Sequence, residues 1–383
     1  MQPTTTITDL FYLVGSVQAL FFGAILLADA RRNIAKALLV THLLSYAFAT
    51  FQNFLWQSRY LLLMPHLAGV FSPFIYLIGP SLWLYVRLLT EPRLQLSIRQ
   101  AWYAVPFLCS WAYGFSFYSQ GASTKLAFIR QAYEKPFPGR LNPMIFLVFF
   151  HTFGYILASI VRLVQHRRVI RTEYSNVENR DLRWLSNLLI LNAVLCVSWI
   201  VNTCTGHTWL QWPDALLTIL SVFLLSFRGI RQNRVGLEAS TSMGQQAGFP
   251  LELKSSRKYE RSGLDDQQAI VYLTQLTKLM EEEKLYQNGE LTLTELASRL
   301  AISPHHLSQL LNEKKGQSFY DYVNAYRVEE VKANLMDSRK RHLSLLAIAL
   351  EAGFNSKTAF NTVFKKSTGL SPSEYRNQHQ SAC

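Results

Sequence analysis

Leu345 to Arg376 read LLAIALEAGFNSKTAFNTVFKKSTGLSPSEYR, and this stretch decides the fold of the C-terminal part. Leu345, Leu346, Ile348, Ala349 and Ala352 recur at helical spacing and form one apolar face. Gly353 supplies a turn where a positive φ would strain any other residue. Phe354 then plugs the space between two helices, and Ser356 is a good N-cap for the second. On that second helix Ala359, Phe360, Val363 and Phe364 face inward. Lys357, Thr358, Asn361 and Thr362 are left outward, and Lys365 and Lys366 close its basic end. Ser371-Pro372-Ser373-Glu374 is a capping box with proline at the first helical position. Periodicity alone fits any small helical hairpin. A helix that is apolar on one side and polar on the other is also what a helix-turn-helix presents to the major groove.

The string itself goes further. A-x-E-A-G-F-x-S followed by F-x-x-x-F-K-K-x-x-G-x-S-P-x-x-Y-R resembles the second half of the AraC-type DNA-binding domain, and the resemblance extends through most of the last hundred residues. Upstream, Thr292-Leu293-Thr294-Glu295 is a capping box, with Leu293, Leu296, Ala297 and Leu300 as the core face behind it. Ile302 and Ser303-Pro304 mark a turn and a new cap, and the following helix runs to about Asn312 with Leu307, Leu310 and Leu311 inward. Ser303, His305, His306, Ser308 and Gln309 remain for DNA. L-T-x-x-E-L-A and S-P-x-x-L-S-Q-L-L-N-E resemble the first module of the same family. The resemblance implies reading positions at His305, Ser308 and Gln309, and at Lys357, Thr358, Asn361 and Thr362. Gln and Asn suit adenine edges and Lys suits guanine. Ser318 to Met336 is expected to be one helix. The family pattern F-x-x-Y-V-N-x-Y-R implies that it spaces the modules, with Arg327 tying them together rather than reading bases. Arg339, Lys340 and Arg341 are expected to meet phosphates. From Glu290 onward there are 12 basic and 9 acidic residues, so nonspecific DNA affinity should be weak and salt-sensitive.

The rest of the chain has a different chemistry. The 383 residues carry a net charge of +13, which suits nucleic acid or an anionic membrane face. Apolar residues make up 49% and charged residues only 16%, but the first 230 residues hold most of the apolar content. Seven apolar segments run Thr8–Ala28, Ala35–Trp56, Leu67–Leu89, Ala101–Tyr118, Pro143–Val164, Leu185–Cys204 and Leu210–Phe227. A bilayer core of ~30 Å needs roughly 20 apolar helical residues. Most segments meet that length, and the fourth is short. Met1 to Ile7 contain no Lys or Arg, so the first segment lacks the basic flank of a cleaved signal. With the N-terminus outside, inner loops and ends hold fifteen Lys and Arg against five in outer loops. That bias predicts a multi-pass protein of the bacterial inner membrane with its C-terminus in the cytoplasm, where DNA binding also requires it. The long loop from Ser119 to Asn142, with four of the five outer charges, fits least well.

Polar residues inside such segments are costly and point either to sensing or to interhelical hydrogen bonds. Asp9, Gln52, Asn53, His151, Asn202 and Asp214 fall in the outer halves and are candidates for a signal pocket. Trp56, Trp102, Trp209 and Trp212 read as interface anchors, and Pro73, Pro80 and Pro106 as helix kinks. Cys109, Cys196, Cys204 and Cys383 lack metal-ligand spacing; the three in apolar segments read as small buried hydrophobes, and a disulfide framework is not expected. No HExxH, GxSxG or phosphate loop occurs, so neither catalysis nor a cofactor nor a metal is expected.

The expected architecture is all-α. It has a transmembrane sensor domain at 1–230, a linker at 231–264, a connecting helix at 265–288 and a DNA-binding domain with two helix-turn-helix modules at 289–383. Gly236–Pro250 reads as a flexible tether. In the connecting helix Ile270, Leu273, Leu276, Leu279 and Met280 share one face, suited to packing on the DNA-binding domain or to pairing with a second copy. K-Y-x-x-S-G-L at Lys258–Leu264 resembles the juncture in AraC-type regulators fused to a multispan domain. The resemblance implies a transcription regulator whose partners are double-stranded DNA, the lipid bilayer, a second copy in a homodimer, RNA polymerase and a small-molecule or membrane signal. Two alternatives remain: a transporter or lipid-modifying enzyme that reports its own activity, and a tethered regulator released by proteolysis.

Overall fold

The computed structural model describes residues 2–30, 33–91, 94–134, 143–178, 180–205, 211–231 and 266–380. The tether, the Lys258–Leu264 string and Trp209 lie outside them. The described residues form α-helices and 3-10 turns, with no strand among them. The chain divides into two compact units: Met1–Val164 with Leu182–Phe249, and Gln165–Asp181 with Pro250–Cys383.

The first unit contains α1 (Ile7–Ala30), α2 (Ile34–Gln57), α3 (Ile75–Thr90), α4 (Val105–Tyr118), α5 (Ala122–Glu134), α6 (Pro143–Glu173), α7 (Arg183–Thr205) and α8 (Gln211–Arg231). The last residues of α6 count with the second unit. Asn33 starts α2 by accepting from the Ala35 and Lys36 amides, as an N-cap should. α2 packs against α1 and α3, and α8 against α1 and α7. Their shared core includes Leu39, Leu43, Tyr85, Leu163, Leu189 and Val222. The opposite faces are apolar too: Phe21 is 61% exposed and Phe150 is 66% exposed. Cys109 and Cys204, expected to be buried, are exposed. Helices apolar all round belong in a large core or in lipid.

Six helical stretches among the described residues are long and apolar enough to cross a bilayer, one fewer than the seven apolar segments. The exception is the fourth, Ala101–Tyr118. It opens as the end of a 3-10 helix, Ile98–Ala104, and leaves only fourteen residues for α4. Of the three prolines, only Pro80 sits inside a helix. Pro73 lies in a 3-10 turn and Pro106 in the first turn of α4, where the missing N–H costs nothing.

The second unit contains α9 (Asp266–Glu281), α10 (Leu293–Arg299), α11 (Pro304–Lys315), α12 (Phe319–Met336), α13 (Leu345–Glu351), α14 (Lys357–Thr368) and α15 (Pro372–Gln380). Thr292, Ser303, Ser318, Ser344 and Ser356 cap α10 to α14, each accepting from the backbone N–H three residues on. The Ser371–Glu374 capping box closes in both directions. Two apolar cores result. Leu276, Met280, Leu296, Leu307, Leu310 and Phe319 belong to the first, and Val331, Leu335, Ile348, Phe354, Phe360 and Phe364 to the second. α12 feeds both, giving Phe319, Tyr322 and Val323 to one and Val328, Val331 and Leu335 to the other. α9 packs into the first core through Ala269, Leu276 and Met280. Ile270, expected inward, is 64% exposed, because the buried stripe starts one residue earlier at Ala269.

Candidate nucleic-acid interface

Each module is a short helix, a tight turn and a second, polar-faced helix. In the first, α10 ends and Ile302 N–H returns to the Ala297 carbonyl at 3.1 Å. In the second, α13 ends and Phe354 N–H returns to the Ala349 carbonyl at 3.0 Å. The same five-residue closure thus shapes both turns. Between these bonded residues the chain must pass through the left-handed region. Gly353 does so at φ +94°, and a Cβ there would lie 2.3 Å from the Tyr286 carbonyl oxygen. The first module puts Ala301 in this conformation, at φ +54°. Sequence reading missed Ala301, because alanine carries none of the turn signal that glycine does.

The residues singled out for DNA lie on α11 and α14. On α14, Lys357, Thr358, Asn361, Thr362, Lys365 and Lys366 are all exposed, while Phe360 and Phe364 are buried beneath them. The Thr362 hydroxyl donates to the Thr358 carbonyl at 2.8 Å, and Lys366 holds the Asp321 carboxylate at 3.0 Å. Burial would push the Asp321 carboxyl up. The Ser318 hydroxyl, Lys366 and the charge of Arg171 outweigh it and hold the group below its ordinary value. On α11, Ser303 and His305 are exposed, and His306, Ser308 and Gln309 are half-buried. The Ser303 hydroxyl is engaged in capping and accepts from His306 N–H at 3.1 Å. Gln309 donates to Glu313 at 3.0 Å, and Asn312 donates to the Ser308 carbonyl at 2.9 Å. The α14 face is therefore the more basic of the two. Arg339 and Lys340 pair with Asp337 and Glu351 at 2.9 and 2.8 Å.

Arg327 is not on this face. It is 1% exposed and lies under the ring of Phe354. Its Nε donates to the Tyr286 carbonyl at 2.7 Å and its Nη2 to the Asn288 carbonyl at 2.8 Å. Two more bonds reach 165–181: Nη1 donates to the Ser175 carbonyl and Nη2 to the Ser175 hydroxyl, both at 3.1 Å, while Nη1 also donates to Asn324 Oδ1 at 3.3 Å. Burial lowers its pKa to about 10, so it stays charged at neutral pH. Asn324 also donates to the Ser175 carbonyl, and the Ser175 hydroxyl donates to the Leu291 carbonyl at 2.7 Å. Tyr174 bridges Thr292, Arg180 approaches Glu290 at 3.6 Å, and Ser356 hydrogen-bonds Glu178. The stretch between α6 and α7 is thus part of the helix-turn-helix unit and reaches the cap of α14. No sequence signal marked it.

The six candidate pocket residues divide. Asn53, Asn202 and Asp214 line a cavity of about 150 Å³ in the first unit, together with Tyr12, Thr152 and Trp199. Asp9, Gln52 and His151 stand elsewhere. Asp9 accepts from the Thr6 amide and hydroxyl, and Gln52 accepts from the Phe71 amide. His151 stands edge-on to the rings of Tyr76 and Tyr155.

This geometry defines a tandem helix-turn-helix domain, and a family model for a helix-turn-helix domain matches residues 296–378. It is a domain of the AraC type, and its relatives are transcription regulators. One is the melibiose operon regulatory protein of Escherichia coli K12, 29% identical over 127 residues, which are 33% of this chain and 39% of that protein. Another is the uncharacterized HTH-type transcriptional regulator YtdP of Bacillus subtilis, 35% identical over 93 residues, 24% of this chain and 12% of that protein. The chain therefore spans well under half the length of these relatives. Among solved structures, the C-terminal domain of AraT, a response regulator from Geobacillus stearothermophilus, shows 28% identity. That match covers 28% of this chain and 84% of that one, with a TM-score of 0.25.

Proposed function

We propose that the chain is a membrane-embedded, sequence-specific DNA-binding regulator of transcription. Its apolar unit senses a membrane or periplasmic signal, and its AraC-type unit works at the cytoplasmic face of the bacterial inner membrane as a homodimer. The observation that carries this reading is the exposed row Lys357, Thr358, Asn361 and Thr362 on a helix whose other side is fixed by Phe360 and Phe364. A polar row on a rigid helix is the geometry that places side chains against base edges. The six apolar helical stretches with outward apolar faces support the membrane reading. The docking of 165–181 on Arg327 and at Ser356 supports a route for the signal beside the 251–286 stretch, because this segment leads straight out of α6 and into α7.

The test uses the full-length protein in lipid nanodiscs and a duplex selected by it from a random pool. Lys357→Ala with Asn361→Ala should weaken binding by roughly a hundredfold, from two base contacts at about 1–3 kcal/mol each. The helical content should not change. Binding that stays within twofold of wild type removes α14 as the reading helix.

A further inference from the structure

We propose that the cavity among α1, α2, α3, α6, α7 and α8 binds a small organic cation, an amine or quaternary ammonium group on a compact apolar body. The inference rests on the reading of the apolar unit as a sensor and names the chemistry of what it senses. The wall of the cavity carries one carboxylate, Asp214, and no Lys, Arg or His among the described residues. Asp214 Oδ1 is buried and has no hydrogen-bond partner, and the same holds for Thr152 Oγ1 on the same wall. Several other polar groups of the wall are already engaged. Tyr46 donates to Asn192 at 2.6 Å, Asn192 donates to Ser221 at 3.0 Å, and the Thr218 hydroxyl donates to the Asp214 carbonyl at 2.7 Å. The Asp214 carboxyl shares a hydrogen bond with the Ser198 side chain, but its Oδ1 is left without a partner among apolar helices, which is costly, and a bound cation reduces that cost.

The rest of the wall fits the same ligand. Tyr12, Tyr46, Phe149 and Trp199 offer aromatic faces, which attract ammonium groups. A volume of about 150 Å³ accommodates a benzene-sized body. An anion would meet Asp214 with like charge, and a neutral guest would leave that charge uncompensated. Thr152 Oγ1, on the same wall and without a partner, is available to accept from an ammonium N–H that Asp214 does not take.

The experiment is calorimetric titration of the full-length protein in phosphatidylglycerol nanodiscs with phenethylamine, 2-phenylethanol and 3-phenylpropionate. Phenethylamine should bind saturably at one site, 2-phenylethanol more weakly and 3-phenylpropionate not at all. Asp214→Asn should weaken phenethylamine by roughly thirtyfold or more, the usual loss when one member of a buried charge pair is removed, and leave 2-phenylethanol unchanged. Thr152→Val, which keeps the shape of the wall, should weaken phenethylamine by a smaller factor, and serves if Asp214→Asn fails to fold. The proposal is overturned if phenethylamine does not saturate on wild type, if the alcohol binds as well as the amine, or if both variants bind the amine as wild type does. Adding phosphatidylethanolamine to the discs separates two sources of the cation. Competition identifies a lipid headgroup as the occupant, and no competition identifies a free amine. DNA binding, measured on the same preparation without amine, reports on the regulator reading separately.

Discussion

Replacing Gly353 with alanine tests the second helix-turn-helix at its tightest point. The backbone there sits at φ +94°, which costs a residue with a Cβ about 1–2 kcal/mol. The new Cβ would stand 2.3 Å from the Tyr286 carbonyl oxygen, so the turn at Leu285–Gln287 has to retreat. That carbonyl is the acceptor for Arg327 Nε at 2.7 Å. Pulling it away loses a charged, buried hydrogen bond of about 1.5–3 kcal/mol. The two effects sum to about 2.5–5 kcal/mol, against a total of roughly 8–23 kcal/mol for a unit of about 150 residues. The expected fall in melting temperature is roughly 5–20 °C. Tryptophan fluorescence will not show it, because all eight tryptophans lie between Trp56 and Trp212. Pulse proteolysis of the full-length protein in detergent, followed through a C-terminal tag, reports on the affected unit. A variant that melts within about 3 °C of wild type would refute the account of the turn, since that shift corresponds to no more than about 1 kcal/mol.

Three further outcomes follow from the same unit. Ala301→Gly relieves a left-handed alanine at φ +54° and should stabilise the unit by about 0.5–1 kcal/mol in the same assay, the strain relieved less the entropy glycine adds. Arg327→Met should destabilise by about 3–5 kcal/mol and raise trypsin cleavage at Arg171 and Arg180, because two of the bonds that hold Ser175 are gone. Unaltered cleavage at those two arginines would show that the stretch is held by something else. Asp321, whose carboxyl is held below its ordinary value, contributes stability that is complete above the unfolded pKa of ~3.9 and is lost as pH falls through the lower folded value. Wild type should therefore lose stability more steeply than Asp321→Asn below about pH 4, and parallel curves would contradict the assignment.

Much of the second unit could be read from its residues. Ser or Thr at the starts of α10 to α15, Gly353 at the turn, and Phe360 and Phe364 four apart are local signals, and each depends on neighbours within one helical turn. The apolar segments were legible for the same reason. Two things were not. Ala301 adopts a conformation that its side chain does not advertise, because the closure from Ile302 to Ala297 imposes it. The docking of 165–181 depends on Ser175 meeting a residue 152 positions away, and no pattern in either stretch encodes that pairing. The candidate cavity stands between these cases. Asn53, Asn202 and Asp214 were visible as polar residues in apolar runs, whereas Tyr12 and Trp199 look like ordinary span residues until six helices bring them together.

The path of the chain through the second unit sets an order of assembly. Gln165–Asp181 leaves the ribosome well before its partners on α12, with α7 and α8 made in between. At about 5–20 residues per second the delay between Ser175 and Arg327 is roughly 10–30 s. During that time the arginine-rich stretch has no helix to dock on. The two helix-turn-helix modules are made only after α1 to α8 have been synthesised. A ribosome that stalls in α7 or α8 therefore yields a chain with neither helix-turn-helix module.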